Sequence, residues 1–184
     1  MKSFIYGWKT FLNFPLNLVQ KGTYDISEES DIACPQFESE QYGREDCLFL
    51  KIQVPESVFE NPGSSLPVMI FIHGGSLLTG DYGNFGPNEF MLRNIVTVAI
   101  NYRLGPLGFL AMGNEMVPGN AGLRDQNMAI KWVKDNIQNF GGNPDLITIF
   151  GESAGSFSVS AQIISPLSKG LFRRAICQSG PAIR

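Results

Sequence analysis

The stretch Leu146-Ile-Thr-Ile-Phe150, running into Gly151-Glu-Ser-Ala-Gly155 and then into the apolar run Phe157 to Ile164, decides the fold. Its first five residues, apolar but for Thr148 and rich in β-branched side chains, read as a buried strand. The run after Gly155 reads as a helix. Gly-x-Ser-x-Gly between a buried strand and a helix is the context of a nucleophile elbow. The two glycines permit a turn sharp enough to lift the Ser153 side chain off the end of the sheet. The helix N-terminus beneath offers backbone N–H groups and a positive dipole end to developing negative charge. The competing reading is a glycine-rich strand-to-helix turn carrying an inert serine.

Working outward, Leu48 to Val54 alternates as a strand and stops at Pro55. Leu66 to Ile72 and Ile95 to Ile100 are buried-strand runs, and Phe172 to Cys177 is a fourth candidate. Asn120 predicts the N-cap of a helix reaching about Asn139, with Leu123, Ile130, Val133 and Ile137 at helical spacing and Gly141-Gly142 as the stop. Buried strands alternating with helices predict an α/β domain with a largely parallel sheet and flanking helices. Residues 1–30 are poorly patterned. Met1-Lys2 and Phe4-Ile-Tyr6 begin like a signal peptide, but Gly7 and Lys9 interrupt the apolar region and no small-x-small cleavage site follows. Irregular or helical structure is the expectation there, and no Asn-x-Ser/Thr sequon supports a secretory route.

The 184 residues suffice for one domain with a sizeable core, burying roughly 70% of the unfolded surface. A net charge of −3, with no basic run, excludes a nucleic-acid binder held by phosphate contacts. An apolar content of 43% excludes disorder, and no run approaches the ~18 residues of a membrane span. Three cysteines, Cys34, Cys47 and Cys177, spell neither a CxxC pair nor a second ligand cluster, so no metal and no cofactor is read. Cys34 and Cys47 flank a polar, turn-rich insert. A disulfide there and two free thiols in a reducing compartment both fit. Cys177, in an apolar segment, is expected to be a buried core thiol.

His73-Gly74-Gly75-Ser76 follows the strand Leu66–Ile72. A glycine-rich turn there can aim peptide N–H groups at one point, an oxyanion hole completed by the N–H of Ala154. His73 is the only histidine. It precedes Ser153, whereas α/β-hydrolase triads run Ser, acid, His, so it is read as a structural residue tying down the glycine turn rather than as a base.

With these residues in view, the chain resembles the type-B carboxylesterase and cholinesterase family of α/β-hydrolases. The resemblance is carried by Glu45-Asp-Cys-Leu-Phe-Leu50, Leu66-Pro-Val-Met-Ile-Phe-Ile-His-Gly-Gly75 and Asn101-Tyr-Arg-Leu-Gly-Pro-Leu-Gly-Phe-Leu110. It continues through Pro118-Gly-Asn-Ala-Gly-Leu-Arg-Asp-Gln126, Phe140-Gly-Gly-Asn-Pro144, Phe150-Gly-Glu-Ser-Ala-Gly155 and Ser165 to Gly180. It implies that residues 22–184 are the N-terminal portion of an incomplete α/β-hydrolase domain, with 1–21 unplaced. It makes Ser153 the nucleophile, Gly75, Ser76 and Ala154 the oxyanion donors, and Glu152 a pocket residue. It pairs Cys34 with Cys47 in the family's first disulfide. It also makes Arg103 and Asp125 a buried charged pair, in which losing one partner costs about 3–5 kcal/mol. The implied partner is a small-molecule carboxylic ester, and the disulfide implies a secretory-pathway lumen or the exterior.

Departures from the family carry information too. After Ser153 the sequence contains no Asp, Glu or His, so the triad acid and base are absent from this chain. Ser76 replaces a glycine of the oxyanion turn. The loop between Cys34 and Cys47 holds no tryptophan, which argues against acetylcholine as substrate. The leading expectation is therefore a truncated piece of a serine carboxylesterase, inactive alone. A non-catalytic adhesion-type relative and an inactive incomplete gene product are the alternatives; the presence of Ser153 weighs against the first of these.

Overall fold

The computed structural model describes residues 2–11, 14–19, 32–37, 41–61, 63–84, 90 and 92–180. Strands β1 (Lys2–Phe11) and β2 (Phe14–Val19) are followed by a ribbon of β3 (Gln36–Phe37) and β4 (Gln41–Tyr42). Then come β5 (Phe49–Val54), a single turn α1 (Ser57–Glu60), β6 (Leu66–Ile72) and β7 (Val96–Ile100). Short helix α2 (Gly105–Phe109) and long helix α3 (Ala121–Asn136) lead to β8 (Gly142–Glu152), α4 (Ala154–Ile164) and β9 (Arg174–Gln178).

Seven strands form one sheet in the order β2-β1-β5-β7-β6-β8-β9. Strands β7, β6, β8 and β9 run parallel, while β5, β1 and β2 are antiparallel to their neighbours. The parallel half is the expected α/β-hydrolase core. Ile70, Ile72, Val96, Val98, Ile100, Ile147 and Ile149 are fully buried, and Ala129, Ile130 and Val133 of α3 join the same core. Each of the valines and isoleucines contributes about 1.5–3 kcal/mol of transfer free energy. Ile72 pairs with Ile100 on one side and with Gly151 on the other. The C-terminal ends of β7, β6 and β8 therefore lie side by side, where open α/β sheets bind their ligands.

Helix α4 turns a polar face inward: Ser156, Ser158, Ser160 and Gln162 are buried, while Phe157, Ile163 and Ile164 are exposed. The small residues let the helix lie close, and their polar atoms are satisfied. Gln126 Nε2 donates to Ser158 Oγ (3.0 Å), Gln162 Nε2 to the Leu123 carbonyl (2.9 Å) and Ser168 Oγ to Gln162 Oε1 (2.6 Å).

Three expectations need correction. Residues 2–11 and 14–19 are strands, not irregular or helical; β1 pairs antiparallel with β5 from Lys2↔Val54 to Gly7↔Phe49. Aromatic and β-branched residues at Phe4, Ile5, Tyr6, Trp8 and Thr10 favour that state. Cys177 is exposed rather than buried: among the described residues its strand, β9, is paired with β8 alone. Asn120 stands at the N-cap of α3 but in the left-handed region (φ 58°), and its side chain makes no capping bond. The helix stop is as expected: a 3-10 turn, Ile137–Phe140, ends at Gly141 with φ 74°. The domain start at residue 22 falls outside the described residues. No helix among those described is long and apolar enough to cross a membrane.

Candidate active site

The elbow is built from backbone constraint. Ser153 has φ 55° and ψ −120°, a region that costs a non-glycine residue about 1–3 kcal/mol and persists only where the surroundings enforce it. Gly151 and Gly155 enforce it. A Cβ on Gly151 would lie 2.6 Å from the Ile72 carbonyl oxygen and from Gly155, and one on Gly155 would collide with that same oxygen. Ser153 N–H donates to the Gln178 carbonyl (3.0 Å) and the Ser153 carbonyl accepts the Phe157 N–H (3.0 Å), so both its backbone groups are used. A serine at an N-cap ordinarily bonds the helix N–H groups with its hydroxyl. Ser153 makes no such bond, and its side chain is exposed at the strand ends.

The turn after β6 lies against this elbow. A Cβ on Gly74 would sit 2.7 Å from the Glu152 carbonyl, 3.4 Å from Glu152 Oε2 and 3.4 Å from Ser153 Cβ. Gly75 (φ 97°), Ser76 (φ 57°) and Leu77 (φ 60°) all take positive φ, so the chain curls tightly. The Gly75 carbonyl accepts the N–H groups of Leu78 and Thr79, both at 2.9 Å. The structure thus brings together Glu152, Ser153, Ala154 and the turn containing Gly75 and Ser76.

His73 is buried beneath the turn. Its Nδ1–H donates to the Gly74 carbonyl (2.8 Å), and its ring stacks on Tyr102 with centroids 4.3 Å apart. Nε2 has no hydrogen-bond partner among the described residues. Burial pushes the imidazole pKa down to about 4, against smaller upward contributions from the Gly74 bond and from Asp81. The ring is therefore neutral at pH 7. The Tyr102 hydroxyl donates to the His73 carbonyl (2.8 Å), and burial pushes that phenol's pKa up.

Arg103 and Asp125 meet as a two-pronged pair, Nε to Oδ2 and Nη2 to Oδ1, each at 2.7 Å. The Arg103 N–H also donates to Oδ2. Burial raises the Asp125 pKa while these contacts oppose it. The pair anchors the start of the segment from which Gly105 N–H reaches the Leu77 carbonyl at 2.7 Å.

Cys34 and Cys47 are joined in a disulfide. Two residues that carried no role in the sequence tie this loop to the site. Asn101 is buried at the end of β7. Its Nδ2 donates to the carbonyls of Ile32 (2.7 Å) and Cys47 (3.0 Å), and its Oδ1 accepts the Tyr82 N–H (2.8 Å). Gln36 accepts the Gly80 N–H at 2.7 Å and donates to the Gly80 and Cys34 carbonyls, each at 3.3 Å. The signals were indirect: Gln36 stands two residues after Cys34, and Asn101 ends a strand and opens one of the blocks that carry the family resemblance.

The model of the carboxylesterase family matches residues 20–184. Bile salt-activated lipase of Mus musculus is 55% identical over 151 residues, which cover 77% of this chain and 25% of that protein. Cocaine esterase of Homo sapiens is 51% identical over 140 residues, 76% of this chain and 25% of that protein. Juvenile hormone esterase from Manduca sexta, solved with OTFP covalently attached, superposes with a TM-score of 0.77 at 37% identity, over 83% of this chain and 30% of that one. The chain spans about a quarter of the length of the curated relatives it matches. With a strand-to-helix elbow at Ser153, a glycine turn beside it and a family match across all but the first residues, this chain belongs to the carboxylesterase family.

Proposed function

We propose that this chain supplies the nucleophile and the oxyanion donors of a carboxylic-ester hydrolase, and that residues outside these 184 supply the acid and base. Ser153 Oγ attacks the ester carbonyl carbon while a base takes its proton. The N–H groups of Gly75, Ser76 and Ala154 receive the oxyanion. The tetrahedral intermediate expels the alcohol, which leaves with that proton, and water then releases the acid from the acyl-serine. Glu152 forms part of the pocket wall. His73 is unsuited to be the base, since its Nδ1–H is held by Gly74 and its ring is buried with a pKa near 4.

The observation that carries the reading is the strained, uncapped Ser153, wedged between two glycines that tolerate no side chain. Its φ of 55° with ψ of −120° lies outside the ordinary left-handed well, and strain of that kind concentrates at functional sites. The substrate class is a small-molecule carboxylic ester, and the disulfide supports passage through an oxidising compartment. The test is turnover of a short activated ester. A full-length protein carrying these residues is expected to hydrolyse it, with Ser153→Ala lowering kcat by ~10⁴-fold or more. The 184-residue chain alone is expected to show no rate that depends on Ser153. Full-length turnover that survives Ser153→Ala would overturn the reading.

A further inference from the structure

The turn that carries Gly75 and Ser76 is anchored at two ends. At its start, His73 donates to the Gly74 carbonyl. At its end stands Gly80, whose φ is 110° and whose Cβ position lies 2.5 Å from His73 Nδ1. The chain at Gly80 therefore presses on the imidazole that holds the first anchor. The turn's own backbone bonds reach only as far as Thr79, whose N–H donates to the Gly75 carbonyl. Its N–H and its carbonyl are both taken by one carboxamide, that of Gln36, across a sequence separation of 44. The bonds fix the orientation of the amide: the oxygen faces the N–H, the nitrogen faces two carbonyls, and a flipped amide would oppose donor to donor.

Gln36 is itself held rigidly. It is buried, lies two residues after a disulfide-bonded cysteine and pairs with Tyr42 across the β3–β4 ribbon. The disulfide closes the loop at Cys47, and Asn101 grips the carbonyls of Cys47 and Ile32 from the end of β7. A continuous chain of bonded groups thus runs from the sheet through the disulfide loop to the far end of the oxyanion turn.

We propose that Gln36 is a positioning residue for ester hydrolysis, setting the placement of the Gly75 and Ser76 N–H groups through Gly80 and His73. This rests on the reading of Ser153 as nucleophile and of the turn as oxyanion donor. Gln36 touches no reacting atom. Its contribution comes from preorganisation: donors already aimed where charge develops need no reorganisation during the reaction, and small misplacements are costly. Ground-state binding of the ester, which does not draw on the oxyanion bonds in full, is left nearly unchanged.

The experiment uses the full-length protein with Gln36→Met, Gln36→Glu and, as a destabilised control remote from the turn, Ile137→Val. Reactive serine is titrated with an organophosphate ester, and kcat is expressed per titrated site. Binding of a trifluoromethyl ketone, a mimic of the tetrahedral intermediate, is measured alongside. Gln36→Met is expected to lower kcat per site about tenfold, with KM within about twofold and ketone affinity reduced by the same factor as kcat/KM. Gln36→Glu keeps the oxygen that accepts the Gly80 N–H but sets a second carboxylate oxygen against the Gly80 and Cys34 carbonyls, so a fall of about tenfold or more is expected. It also carries the comparison if Gln36→Met does not fold. Ile137→Val should lose thermal stability and keep its kcat per site. Gln36 variants that retain wild-type kcat per site, losing only stability as Ile137→Val does, would overturn the proposal while leaving the nucleophile reading intact. Turnover surviving Ser153→Ala would overturn both.

Discussion

Two strand exits meet at the candidate site, and they are held in opposite ways. At the end of β8 the elbow is built within five residues and packed directly against the two neighbouring strands, at Ile72 of β6 and Gln178 of β9. Gly151 and Gly155 pack on the Ile72 carbonyl, Ser153 is trapped between them, and α4 starts at once. At the end of β6 the turn from His73 to Gly80 is fixed from afar. Gln36 holds Gly80, Tyr102 stacks under His73, and Gly105 N–H reaches the Leu77 carbonyl. A short strained element is held by the strands it directly touches. A curled turn with several positive-φ residues needs a scaffold. The elbow should therefore fail in an all-or-none manner and the turn by degrees.

The largest expected effect is at the elbow. Gly155→Ala drives a methyl group into the Ile72 carbonyl, and the neighbour is backbone that cannot yield. A loss of more than about 3 kcal/mol is expected, seen as little folded protein or a Tm lowered by many degrees. A wild-type Tm in this variant would mean that α4 is not seated on β6.

An intermediate effect is expected in the turn, through pH. His73 is neutral in the folded state with a pKa near 4, against 6.5 for the free group. Between these values the unfolded chain binds a proton that the folded protein does not, so stability falls as pH drops from about 6.5 to 4. The loss is on the order of 3 kcal/mol by pH 4 and is absent above about pH 7. Urea unfolding across this window measures it, and His73→Gln should flatten that part of the slope. An unchanged slope would place the imidazole in contact with solvent.

How far each region could be read from the sequence follows the same division. The strand, the Gly-x-Ser-x-Gly turn and the helix are contiguous, so residues 146–164 carried their own explanation. The parallel strands at Leu66–Ile72 and Val96–Ile100 were legible because both are short, almost wholly apolar runs, although β6 alternates buried with half-buried positions and only β7 is buried on both faces. Gln36 and Asn101 were not legible. Each is a polar residue that reaches across the chain, Gln36 to Gly80 over 44 positions and Asn101 to Cys47 and Ile32 over 54 and 69, and hydrogen bonds at that separation leave no periodic trace. Cys177 was misread because an apolar segment marks a strand without saying whether the strand has neighbours on both sides.

The smallest effect sharpens the comparison within the turn. Ser76 holds φ 57° where a glycine would rest without steric cost. Ser76→Gly relieves at most ~1 kcal/mol and is expected to raise kcat of the full-length protein a few-fold, with KM nearly unchanged. A fall in kcat would instead make the hydroxyl a donor in its own right.

The central claim is that the two exits converge on one tetrahedral centre. A structure of the full-length protein with a trifluoromethyl ketone bound tests it most directly. The account predicts a covalent bond from Ser153 Oγ to the former carbonyl carbon, with its oxygen about 2.7–3.1 Å from the nitrogens of Gly75, Ser76 and Ala154. An adduct on Ser153 whose oxygen points away from these three nitrogens, or an adduct on any other residue, would contradict it.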